Sequence, residues 1–163
     1  MKNRLTQSKE HELIQGGYKY AFSLTHNHEE SQDLVQDAWL KVYSHKNRSD
    51  FKKAYFYTAI RNQFLDQFRR NKRFQMDSLE LDLEDSNSGE STLQKLEIGR
   101  VEESLKKLSA KEREVFFLKC YEEYTAQEIS DVTGAPRGSV LSLVHRAREK
   151  LIKLLGYDEG GVL

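Results

Sequence analysis

The stretch LSAKEREVFFLKCYEEYTAQEISDVTGAPRGSVLSLVHRAREKL, residues 108–151, carries the signals that decide the fold. Ser109 stands three residues before Glu112, and Thr125 three before Glu128. In such a pair the hydroxyl accepts from one free backbone N–H while the carboxylate reaches back to another, so each pair marks a helix start. Gly134 follows the second helix where a left-handed residue closes it, and Gly156 stands in the same relation to a last helix that begins near Pro136. A short helix, a glycine turn and a second helix carrying Arg146, Arg148 and Lys150 form the pattern of a helix-turn-helix. In that motif the second helix enters a DNA major groove.

Advancing ~100° per residue from Val140 puts Val144, Ala147, Leu151 and Leu154 on one face, the side that packs on the helix from Thr125. Arg137, Leu141, Ser142, His145, Arg146 and Arg148 fall on the opposite half. Such side chains can bond base edges and phosphates. A solvated basic face closing a three-helix bundle would give the same wheel, and the capped spacing of the two helices is what favours DNA.

Upstream, residues 74–91 are acidic and rich in Ser, Asn and Gly (DSLELDLEDSNSGES), with no long apolar period. Such a segment cannot bury enough to fold alone and reads as a flexible linker. Before it, Leu13, Gly17, Tyr20 and Leu24 fall at helical spacing, as do Leu34, Ala38 and Val42, and then Ile60, Phe64 and Phe68. Asn27-His28 and residues 47–50 interrupt these helices. The expectation is an all-α chain of two small helical domains on an acidic tether, with boundaries at 1–73, 74–98 and 99–163.

The net charge of zero, from 26 basic and 26 acidic residues, argues against a nucleic-acid partner only until its distribution is followed. Lys41 to Arg73 carries ten Lys and Arg against Asp50 and Asp66, a local charge of +8. A phosphate backbone responds to that local field. The same region holds nine of the seventeen aromatics, Trp39 to Phe74. Aromatic rings offer platforms for bases taken out of the duplex, although helical spacing makes Phe64 and Phe68 core residues by expectation.

Other classes find little support. No apolar run approaches the ~20 residues of a membrane span, and residues 1–13 lack a signal-type stretch, so a cytoplasmic protein is expected. Cys120 is the only cysteine and, following FFLK, reads as a buried thiol. His26 and His28 find neither a cysteine nor a carboxylate pair to complete a ligand set, and no Gly-rich phosphate loop is present. No metal, no cofactor and no enzymatic activity are expected.

Residues 105–151 resemble the C-terminal, −35-binding domain of bacterial sigma factors of the extracytoplasmic-function group. The family pattern L-x-x-L-[PS]-x-x-x-R-x-V is met by Leu105 to Val115, E-I by Glu128-Ile129, and G-T-V-x-S-R-x-x-R-A-R by Gly138, Val140, Ser142 and Arg146-Ala147-Arg148. The resemblance gives −35 contact to Arg137, Ser139, Leu141, Ser142, His145, Arg146 and Arg148. Leu141 and Leu143 stand where the family usually has basic residues. Leu141 can touch a thymine methyl but cannot bond guanine.

Tyr55 to Arg70 (YFYTAIRNQFLDQFRR) is similar to the family's W-L-x-x-I-A-R-N-x-x-L-D-x-x-R-R stretch, which recognises and melts the −10 element. Tyr55-Phe56 replace Trp-Leu, and Ala59-Ile60 invert the usual order. The resemblance implies Arg48, Phe51, Tyr55, Arg61, Asn62, Arg69 and Arg70 as −10 residues. ESQDLVQDAWLKVY, residues 30–43, resembles the helix that docks on the β′ clamp helices of polymerase, which assigns Asp33, Leu34, Gln36, Asp37 and Leu40 to that contact. The implied partners are core RNA polymerase (β′ clamp helices and β flap), promoter DNA and, in many such systems, an anti-sigma factor, without membrane insertion. A stand-alone helix-turn-helix regulator is the alternative.

Overall fold

The computed structural model describes residues 2–44, 53–75 and 93–156. Among these, seven helices follow one another: α1 (Lys2–Thr25), α2 (His28–Tyr43), α3 (Lys53–Gln75), α4 (Leu93–Lys106), α5 (Ala110–Cys120), α6 (Ala126–Thr133) and α7 (Arg137–Leu155). The all-α architecture expected from the periodicity is present. Helix α4 begins at Leu93, so part of the stretch assigned to the linker up to residue 98 is helical.

Helices α1, α2 and α3 pack on one another as a three-helix unit. The turn between the first two is only His26-Asn27. It works because His26 adopts a left-handed φ of 53° and the Asn27 side chain accepts from the N–H groups of Glu29 and Glu30, capping α2. Tyr20, Ala21, Leu24, Leu34, Val35, Ala38, Val42, Phe56, Tyr57 and Ile60 fill the interior. Gly17 lies on the same face as Tyr20, in mid-helix, where glycine costs about 1 kcal/mol relative to alanine. A Cβ at that position would collide with the Phe56 ring, so the absent side chain admits an aromatic one.

In the C-terminal half, α4, α5 and α6 all pack against α7. Both expected capping boxes form. Ser109 Oγ accepts from the Glu112 N–H, and the Ser109 N–H donates back to Glu112 Oε2 at 2.9 Å; Thr125 and Glu128 repeat the arrangement. Gly134 (φ 70°) and Gly156 (φ 73°) close α6 and α7 in the left-handed conformation that costs glycine nothing. Val140, Ala147 and Leu151 are buried along α7.

The two halves are not held apart. Helix α1 packs on α5 and α3 on α6, and the buried residues of α1–α3 continue without a break into Val115, Leu118, Ile129, Val132 and Val140. The sequence reading of two separate modules did not contain this shared core.

Three packing expectations are corrected. Leu154, placed with the core face of α7, is exposed, one residue before the helix ends. Phe68 is 58% exposed because it lies beyond Ile60 and Phe64, on the part of α3 that outruns its partners; Phe64 is half-buried. Cys120 is exposed: it is the last residue of α5 and stands at the rim of the cleft lined by Phe116 and Phe117.

Candidate promoter and polymerase interfaces

Helix α7 exposes every residue assigned to the −35 contact. Arg137, Ser139, Leu141, Ser142, His145, Arg146 and Arg148 all face solvent, while Val140, Ala147 and Leu151 alternate with them into the core. Leu141, 51% exposed, is an apolar side chain on an otherwise polar face; Leu143, only ~60° round the helix from Val140, is half-buried. His145 Nε2 lies 3.3 Å from Glu149 Oε1 one turn on. A tie at the far end joins the helix to α5: Lys150 Nζ donates to Glu112 Oε1 and Oε2 at 2.8 and 2.9 Å. Burial alone would raise the Glu112 carboxyl, but the bonds from Lys150 and from the Ser109 N–H and hydroxyl outweigh it and hold the group below its ordinary range. Glu112 thus caps α5 and anchors α7 together.

On α3, Tyr55 is half exposed and Asn62, Arg69 and Arg70 are exposed. Arg69 NH1 sits 3.6 Å from Asp66, a surface pair of small energetic weight. Arg61 differs from its neighbours. Its side chain is only 17% exposed, and its Nε donates to Glu114 Oε1 of α5 at 2.8 Å. Arg48 and Phe51, the other two residues assigned to the −10 element, lie outside the described residues.

On α2, Asp33, Gln36, Asp37 and Leu40 share the outer surface, Leu40 being 60% exposed. Leu34 does not join them. It is fully buried, because its place on the Leu34–Ala38–Val42 stripe turns it into the core, and its assignment to a polymerase contact is corrected to a packing role.

The contacts between the halves were missing from the sequence reading. Besides Arg61, Tyr20 Oη donates to Glu114 Oε1 at 2.6 Å, and Tyr20 stacks on Tyr57 with ring centroids 4.6 Å apart. Tyr57 Oη donates to Glu122 Oε1 at 2.7 Å, and Lys53 pairs with the other oxygen of Glu122. Arg113 donates to the carbonyls of Ser23 (3.0 Å) and Leu24 (3.2 Å) at the end of α1, and to Leu108 (2.6 Å) on its own side. Helix ends leave such carbonyls without a helical partner, and cations are favoured beside them. Burial lifts the carboxyl of Glu114 above its ordinary range, with Arg61 and the Tyr20 hydroxyl offsetting part of the rise. Among the described residues, no group of His, Cys, Asp and Glu could hold a metal ion, and no helix is long and apolar enough to cross a membrane.

Residues 13–74 match the Sigma-70 region 2 family, and residues 98–151 match the Sigma-70 region 4 family. The chain is 28% identical to the ECF RNA polymerase sigma factor EcfG of Rhodopseudomonas palustris, over 85% of this chain and 78% of that protein. It is 26% identical to the ECF sigma factor SigW of Bacillus subtilis, over 85% and 82%. The chain belongs to the extracytoplasmic-function group of the sigma-70 family. As a sigma factor it binds core RNA polymerase and recognises promoters. Its structure is similar to that of the sigma factor RpoE of Bartonella quintana, solved with the anti-sigma factor NepR, at a TM-score of 0.73 and 26% identity, covering 94% of this chain and 98% of that one. It shares its fold with CnrH, solved with the cytosolic domain of CnrY, at a TM-score of 0.58 and 23% identity, covering 94% and 88%. The region 2 match contains the residues of α2 and α3 assigned to polymerase and the −10 element, and the region 4 match contains those of α7 assigned to the −35 element.

Proposed function

We propose that this sigma factor reads its −35 element with the exposed face of α7, opens the −10 element along α3, and docks on the polymerase clamp through the outer surface of α2. The observation that carries this reading is the split of α7 into a buried stripe and an exposed face. Val140, Ala147 and Leu151 lock the helix to its partners, leaving Arg137, Ser142, His145 and Arg146 facing outward. A helix held so can enter a major groove without losing its own packing.

Along α3, Tyr55 offers a ring for an unstacked base, while Asn62, Arg69 and Arg70 follow the backbone. The energy for melting comes from capturing such bases, a few kcal/mol for each flipped one. Asp33, Gln36, Asp37 and Leu40 form the clamp contact. The chain makes and breaks no bond, and it acts in the cytoplasm with the polymerase. Residues 1–73 and 99–163 are the two working domains, with the acidic stretch between them as connector. Likeness to RpoE over nearly the whole chain also supports an anti-sigma partner. An apolar cleft of 380 Å³ where α1, α4 and α5 meet, lined by Phe22, Leu105, Phe116, Phe117 and Tyr121 among others, is a site for one of its apolar side chains.

The test is co-elution of the purified chain with bacterial core polymerase, followed by promoter opening on selected sequences. Arg146→Ala should leave co-elution intact, weaken duplex binding and lower the salt slope by about one phosphate, or else remove base discrimination at one position. Tyr55→Ala should leave polymerase binding intact and reduce open complexes. Duplex binding retained without any polymerase association would select a stand-alone regulator instead.

A further inference from the structure

Leu141 is 51% exposed, whereas Leu143, two residues on, packs against the core. A single exposed leucine needs no function of its own, but the residues around this one are particular. Arg137, Gly138, Ser139 and Ser142, all exposed, share the first two turns of α7 with it. Gly138 brings no side chain, and a Cβ there would meet nothing within 4 Å. The Ser142 hydroxyl donates to the Gly138 carbonyl at 3.1 Å, so its proton is turned back on the helix. Gly138 and Ser142 stand one turn apart and leave a shallow strip along the outer line of α7. Leu141 borders that strip, and the small residues beside it let the helix come close to base edges. One turn beyond Leu141, His145 has its partner in Glu149 at 3.3 Å.

The four bases meet such a side chain differently. In the major groove the purines show acceptors, cytosine shows an amine donor, and thymine shows an acceptor beside its C5-methyl group. Leucine bonds none of the polar groups. Set against a purine N7 or the cytosine amine, it removes water and returns no hydrogen bond, which carries a penalty. Against a C5-methyl group two apolar surfaces leave water together and no polar atom is stranded between them. The methyl is the one feature of the groove that this side chain matches.

We infer that Leu141 reads the C5-methyl group of a pyrimidine in the −35 element: thymine in unmodified DNA, and 5-methylcytosine where a cytosine in that place has been methylated. This rests on the −35 role proposed for α7 above. Because the contact is with the methyl and not with the base pair, a C·G pair that is disfavoured in its plain form gains affinity once methylated. Promoter choice at this position thereby becomes sensitive to a modification of the DNA. The contact also adds discrimination without neutralising a phosphate, so it leaves the salt dependence of binding where it was. In this it differs from Arg146, whose charge the phosphates feel.

The experiment uses the full chain bound to core polymerase and a duplex library randomised across the −35 element. In the selected sequence each thymine is replaced in turn by uracil, which lacks only the C5-methyl group, and then by cytosine with and without 5-methylation. The expected result is one position where uracil weakens binding about fourfold, the factor that one buried methyl contributes, and where methylation of cytosine strengthens it by about the same factor. In Leu141→Ala the thymine and uracil duplexes should bind equally at that position, with the salt slope unchanged, and Leu141→Arg should shift the preference there toward guanine. Leu141 is exposed, so both variants keep the α7 core, and equal unfolding midpoints and equal co-elution with polymerase verify it. Uracil without effect at every thymine, or with the same effect in Leu141→Ala, would overturn the methyl contact while the −35 role of α7 stands. A library that enriches no −35 sequence, together with duplex binding unchanged in Arg146→Ala, would overturn that role and the methyl contact with it.

Discussion

Glu112 and Glu114 stand two residues apart on α5 and serve opposite sides of it. Glu112 turns toward α7, where Lys150 and the Ser109 cap surround it with donors and hold its carboxyl low. Glu114 turns toward α1 and α3, where burial dominates and lifts it. The first is an acid satisfied within its own half of the molecule, stable as a charge. The second is satisfied only when another half arrives, and it loses water to gain two partners. Breaking a buried pair by removing one partner is costly, but separation of the halves offers Arg61 and Glu114 a way back into water. Contacts on the α7 side therefore report on folding, and contacts on the other side on closure.

Arg113 spans both sides and should show the largest effect. Arg113→Ala removes one bond within its half and two to the end of α1, for a loss of about 4 kcal/mol or more at about 1.5–3 kcal/mol per bond to a charged group. Both the denaturation midpoint and the energy transfer between dyes placed on α2 and α7 should fall. A change in only one of them would break the division between the two sides.

Next comes Glu112→Ala, which strips the Ser109 cap and frees Lys150, at a cost of about 1–2 kcal/mol. The unfolding midpoint should drop while energy transfer in the folded range stays at its parent value. Thr125→Ala removes the cap of α6 for about 1 kcal/mol. It calibrates what a lost cap alone does, so that any excess in Glu112→Ala measures the Lys150 tie.

The smallest expected effect is that of pH, and its sign differs between the two acids. Glu112 is lowered in the folded state, so its stabilisation is present above the ordinary value of 4.5 and fades as pH falls through the lowered one. Glu114 is raised in the closed state, so its contribution to closure is full below 4.5 and fades as pH rises through the raised value. Mild acidification should therefore strengthen the Glu114 part of closure before it weakens α5. Subtracting the pH profile of energy transfer in Glu114→Gln isolates that part; identical profiles would remove Glu114 from the account.

What the sequence disclosed follows the same division. The caps at Ser109 and Thr125, the closing glycines at 134 and 156, and the outward face of α7 are local patterns, written within four residues or one helical period. Each stands in the structure where the spacing put it. The Tyr20–Glu114 and Arg61–Glu114 contacts join residues 94 and 53 positions apart, and no period records such a meeting. Leu34 was misassigned because its motif neighbours face outward, although its own stripe pointed inward. Phe68 and Cys120 were misread because apolar spacing says nothing of where a helix outruns its partners. The exposed Leu141 was legible, since wheel position alone placed it opposite the core.

The uncovered face of α7 in the closed chain has a kinetic consequence. On the role proposed for α7, a molecule that keeps this face free can dwell on duplex DNA without being committed to it, held by the few phosphates that one helix reaches. Polymerase then meets a population of which only the open fraction is competent, and its apparent dissociation constant is the intrinsic one divided by that fraction. On the proposed roles of α3 and α7, recruitment is graded: as free polymerase rises, a growing share of the chains takes the two elements together.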